Sequence, residues 1–117
     1  VKECVLLERA EEPKDIVFAL REECQLSLAD IAAALGITAF AVRTCERRGR
    51  INKKARSRLY DLRDACLALV RVIETYRMPV WLSTFNPVLG RKTPLECIRE
   101  GNIADVKEAI RVLAEQE

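Results

Sequence analysis

The chain has 117 residues, half of them hydrophobic but only six aromatic, with a net charge of +2 and no histidine. That length is within the roughly 100–150 residues of an ordinary domain, but no apolar run nears the ~20 residues of a membrane span; Glu11-Glu12 stands where a secretory signal would be basic and then apolar, so the chain is expected in the cytoplasm, away from membranes. Without histidine, a glycine-rich phosphate loop or a paired-carboxylate motif, the usual participants in acid–base and nucleophilic catalysis are missing, and a non-enzyme without metal or cofactor is expected.

Leucine, alanine, isoleucine and valine dominate and strand signals are nearly absent, which predicts an all-α fold. Pro13 opens a helical pattern in which Ile16, Val17 and Leu20 recur at helix spacing, with Cys24 one turn further on. Ser27, with Asp30 at the third helical position, is a capping signal for a helix from Leu28. It runs through Ile31, Ala32 and Leu35 and stops at Gly36, which suits the left-handed position past a helix end. Thr38 caps the next helix. Within Leu28 to Arg48, Ala32 is small where two helices approach, Gly36 sits in the turn, Ile37 fills the core and Val42 is the apolar residue of the second helix. Those four positions match a helix-turn-helix, although an inert helical hairpin shows the same pattern.

The charge is unevenly spread. Residues 1–26 carry −3, residues 27–58 carry +6, residues 59–79 balance, and residues 80–117 carry −1. The basic block follows the helix-turn-helix, which favours double-stranded DNA over the plain reading of a solvated face. Thr38, Ala39, Phe40, Arg43, Thr44 and Arg47 are the predicted outward positions of a recognition helix. Arg43 suits a guanine edge and Phe40 a thymine methyl, whereas Arg48, Arg50, Lys53 and Lys54 suit phosphates.

From Ala55 to about Tyr76, Leu59, Leu62, Cys66, Leu69, Val70 and Ile73 fall at spacings of three and four, predicting one long amphipathic helix that breaks near Arg77-Met78 before Pro79. Its apolar residues exceed what a small monomer needs, so pairing with a second copy is expected. A short helix through Val80–Leu82, a helix over Pro94–Glu100 and a last one over Ile103–Ala114, with Ile103, Val106, Ile110 and Leu113 buried, complete the chain. The five cysteines, Cys4, Cys24, Cys45, Cys66 and Cys97, are too dispersed for a zinc site and are expected to pack as small buried thiols.

Between the last helices lies the segment Trp81-Leu82-Ser83-Thr84-Phe85-Asn86-Pro87-Val88-Leu89-Gly90-Arg91-Lys92-Thr93-Pro94-Leu95. Asn86-Pro87 starts a turn, Gly90 accepts a positive φ, and Thr93-Pro94 reads as an N-cap with proline in the first helical turn. The ordered set Trp81, Leu82, Asn86, Pro87, Leu89, Gly90, Thr93, Pro94, Leu95, Gly101 and Val106, behind a helix-turn-helix and a long helix, resembles the Xre/MbcA/ParS-type antitoxin family. The resemblance implies an Xre-like helix-turn-helix domain over 1–54 that binds the promoter of its own operon. It also implies a connecting helix and toxin-binding domain over 55–117. The implied partner is a RES-domain toxin that consumes NAD or transfers ADP-ribose, blocked sterically, in a homodimer or toxin–antitoxin hetero-oligomer. Trp81, Asn86, Pro87, Leu89, Gly90, Arg91, Lys92, Thr93, Pro94 and Leu95 are the implied toxin-binding residues. The competing reading is a stand-alone transcriptional regulator whose C-terminal lobe dimerises or senses a ligand.

Overall fold

A computed structural model describes residues 4–117, and the expected all-α architecture is the one found. The helices are α1 (Val5–Arg9), α2 (Pro13–Glu22), α3 (Leu28–Leu35), α4 (Ala39–Arg48), α5 (Lys53–Leu69), α6 (Met78–Leu82), α7 (Pro94–Arg99) and α8 (Ile103–Gln116), with single 3₁₀ turns at Thr75–Arg77 and Pro87–Leu89. Four of them start where a side chain satisfies amides that the first turn leaves without partners. Ser27 and Asp30 form a reciprocal capping box at α3. Thr38 Oγ1 accepts from Ala41 N at 3.0 Å and Asn52 Oδ1 from Ala55 N at 2.8 Å. At α7, Thr93 accepts from Glu96 N at 3.1 Å while the Glu96 carboxylate accepts from Thr93 N at 2.9 Å.

Helix α1 has no such local signal, and the sequence pattern did not predict it. Its amides at Leu6 and Leu7 donate instead to the Glu23 carboxylate, at 2.9 and 2.8 Å. The cap is supplied from beyond the end of α2, so only the folded chain brings it to the helix. Burial of Leu7 then fixes α1 to the core.

Helix α5 is the central rod, packed against α1, α2, α3, α7 and α8. Ala55, Leu59, Leu62, Ala65, Cys66 and Leu69 are all buried within the monomer. The apolar surplus that suggested pairing through this helix is therefore used inside one chain. The helix also ends earlier than its periodicity predicts. Val72 N and Ile73 N both return to the Leu69 carbonyl, at 2.9 and 3.1 Å, Glu74 is extended with ψ 147°, and α6 begins at Met78. Turning here places Ile73, Thr75 and Met78 in the core, which a straight helix of period 3.6 would have carried past it. Pro79 falls in the first turn of α6, where its missing N–H costs nothing.

One hydrophobic cluster runs from Cys4 in the N-terminal segment to Ile110 on α8, with Ile31, Leu59, Leu62 and Ile98 fully enclosed. Packing of α7 on α3 joins the C-terminal helices to the α3–α4 pair, and Arg58 Nε on α5 donates to the Arg99 carbonyl at 3.0 Å. All five cysteines are buried thiols. Burial pushes Cys4 up to about 12, and hydrogen bonding to Cys66, then burial, pushes Cys24 up strongly. No single described helix is long and apolar enough to cross a membrane.

Candidate functional site

Two surfaces at different parts of the fold carry groups that the core does not use. The first is the outer face of α4. The chain turns through 100° between α3 and α4, within the range of a helix-turn-helix. Gly36 makes that turn at φ 72°, a left-handed conformation that costs other residues roughly 1 kcal/mol or more. Val42 and Cys45 hold the inner face of α4 in the core. Thr38, Ala39, Phe40, Arg43, Arg47 and Arg48 then fall on the exposed side, and Arg50 and Lys53 follow, also exposed.

The expected DNA-contacting residues are thus brought to one face. Phe40, Arg43, Thr44, Arg47, Arg48 and Arg50 line a groove of about 280 Å³. Thr44 stands apart from the rest: it is half-buried, and its hydroxyl donates to the Phe40 carbonyl at 3.1 Å. The one acidic side chain on α4, Glu46, pairs with Arg21 of α2. Among the described residues, none of Arg43, Arg47, Arg48, Arg50 and Lys53 has a carboxylate within ion-pair distance. Their positive field faces solvent.

The second surface is built around the turn that follows α6. Asn86 Oδ1 accepts from Val88 N at 2.9 Å, and Asn86 N donates to the Lys92 carbonyl at 3.1 Å, closing the loop at its base. Gly90 takes φ 73°, ψ −130°, a region open in practice to glycine alone. Nothing lies within 4 Å of a Cβ placed there, so the requirement is backbone conformation and not space. Lys92 donates to Glu100 at 2.6 Å, and that hydrogen bond raises the lysine pKa above its ordinary value. Arg91 is exposed and has no acidic partner among the described residues.

The ten residues marked by the sequence therefore divide by role. Trp81 is half-buried, Pro87, Gly90 and Arg91 are at the surface, Asn86 and Thr93 shape the backbone, Leu89 leans on the core, Lys92 is held by Glu100, and Pro94 and Leu95 are buried. What the sequence reading missed is the apolar surface beside them. Tyr76, Val80 and Phe85 are 66%, 67% and 68% exposed, with Val88 next to them in the turn. Trp81 separates two grooves on this surface. One, of about 360 Å³, runs between Ile73, Tyr76, Val80 and Thr84; the other, of about 310 Å³, runs between Phe85, Val88, Val112 and Leu113. Each of these residues alone is an ordinary exposed hydrophobe, and the docking of α8 beside the turn completes the second groove. A rimmed apolar patch of this kind is typical of an interaction surface.

No family model matches the sequence, and no curated protein matches it. The fold is similar to that of a chain in the crystal structure of the M. tuberculosis MbcT-MbcA toxin-antitoxin complex. The TM-score is 0.75 at 20% sequence identity, covering 92% of this chain and 97% of the other. The all-α fold implied by the antitoxin resemblance is thus the one this chain shares with that chain.

Proposed function

We propose that this chain is the antitoxin of a type II toxin–antitoxin pair. Its surface around Trp81 covers the substrate entrance of a RES-domain, NAD-consuming toxin, and the outer face of α4 binds the promoter of its own operon. The observation that carries this reading is an exposed aromatic and aliphatic surface on a fold shared with a chain of a toxin–antitoxin complex. Support for the division of labour is the placement of two unlike surfaces, one cationic and within residues 1–54, one apolar and within 55–117. Inhibition on this reading is steric, and the chain itself contributes no catalytic group.

Tyr76, Val80 and Phe85 would supply the desolvated centre of the contact, where aromatic residues carry most of the binding energy. Pro87 and Arg91 would lie at its rim. The closed turn from Asn86 to Thr93 would act by presenting these groups in a fixed geometry, which reduces the ordering cost of association. A homodimer would place two α4 helices about one DNA turn, roughly 34 Å, apart on an inverted repeat.

The test is co-expression with the neighbouring reading frame of the operon, followed by pull-down and measurement of cellular NAD with and without this chain. A stable complex whose partner depletes NAD only when this chain is missing supports the antitoxin reading. Absence of a partner, with NAD unchanged, would leave the cationic face as the working surface and favour a stand-alone transcriptional regulator.

A further inference from the structure

We propose that Phe40 reads the 5-methyl group of a pyrimidine, thymine or 5-methylcytosine, in the major groove of double-stranded DNA; this rests on the DNA-binding half of the reading above. Phe40 is the second residue of α4 and is 78% exposed. A phenyl ring this exposed is free to be covered by an outside partner, and burying it there would be favourable.

The surroundings of the ring decide what covers it. On one side are the guanidinium groups of Arg43, Arg47 and Arg48, without carboxylate partners among the described residues. On the other, Ile37, Ala41 and Ile51 form an apolar groove of about 480 Å³, and Arg50 lines both grooves. Thr44, one turn along the helix, also lines both, and its hydroxyl hydrogen is committed to the Phe40 carbonyl. The ridge of Phe40 and Thr44 therefore offers a base edge apolar surface and no hydroxyl donor. Unneutralised arginines around the ring select a polyanion over an apolar protein face. Within duplex DNA, the apolar group displayed in the major groove is the pyrimidine 5-methyl. The first turn of a recognition helix is also the part that meets base edges.

The experiment selects duplexes from a randomised pool with the full chain. Single thymines of the selected duplex are then replaced by deoxyuridine, and cytosine is compared with 5-methylcytosine at the same position. The expected result is one position per half-site at which loss of the methyl weakens binding about fourfold. There, 5-methylcytosine should bind more tightly than cytosine by a similar factor. Phe40→Ala should erase both differences while keeping the salt dependence, and Phe40→Leu should retain part of them. Equal discrimination by wild type and Phe40→Ala, or no responsive position in wild type, overturns the assignment and leaves DNA binding intact. Failure to select any duplex overturns it together with the DNA-binding reading. Loss of partner-protein capture by Phe40→Ala, with DNA binding unchanged, assigns the ring to a protein interface and overturns it as well.

Discussion

Arg43 and Lys53 are both exposed cations, and the proposed DNA-binding reading gives them different tasks. On that reading, Arg43, which projects from the middle of α4, pairs with a guanine edge, whereas Lys53, which starts α5, meets phosphates. Arg43→Ala is expected to relax base preference by roughly 1–3 kcal/mol. Lys53→Ala should weaken binding to all duplexes and lower the salt slope by about one. Equal losses on every sequence, measured by titration at several salt concentrations, would refute that division. On the apolar surface, Phe85 is exposed and not in the core, so Phe85→Ala should shift stability by no more than about 0.5 kcal/mol. It should nevertheless weaken toxin capture by about 2 kcal/mol, as loss of an aromatic anchor does; unchanged capture would move the contact elsewhere. The buried thiols make a third case. With the Cys4 pKa at about 12 and Cys24 raised strongly, a thiol-specific reagent should label the native chain only as fast as it opens, and addition of denaturant should accelerate labelling steeply.

At the scale of the element, α7 shows how a six-residue helix is held. Proline at its first position, the Thr93–Glu96 capping box and burial of Leu95, Cys97 and Ile98 compensate for a length far below what an isolated helix needs. The backbone amide of Thr93 stabilises the charged Glu96 carboxylate and lowers its pKa below the ordinary 4.5. A carboxylate depressed in the folded state adds stability above its unfolded pKa and loses it as pH falls through the lower folded value. Stability should therefore decline as pH falls below about 4.5. Glu96→Gln should flatten part of that decline, the remainder resting on Glu108 and Glu117, which Arg111 and Arg77 hold low in the same direction. Chemical denaturation at pH 3 and pH 7 reads the difference; an identical pH dependence for Glu96→Gln would remove the capping account. The capping signals for α3, α4 and α7 were legible because each is contained in four consecutive residues. The true end of α5 was not, because Val70 and Ile73 continue its helical spacing and only the position of the core makes the turn favourable.

For the molecule as a whole, α7 packs on α3 and α5, so the cationic and apolar surfaces share one core. Ile98, fully buried on α7, tests this link. Ile98→Ala should cost about 2–5 kcal/mol. Because the core is continuous, unfolding should remain a single transition, with DNA binding and toxin capture lost together. Two separate transitions by circular dichroism would show that residues 1–54 and 55–117 fold independently. This connection also means that the two surfaces are held in a fixed relative orientation.

The sequence by itself determined what depends on neighbours within a few residues: the caps, the left-handed glycines, the helix periods and the cationic run after Gly36. It also determined the all-α class, because aliphatic spacing of three and four admits no sheet. Tertiary structure alone decided what depends on distant segments meeting. Glu23 reaches back to cap α1, Leu113 of α8 comes beside Phe85 to form a groove, and Pro94 and Leu95 are drawn inside. The physical reason is that hydrogen bonds along a helix are local, whereas the choice of which apolar side chains are buried is made by the whole core at once.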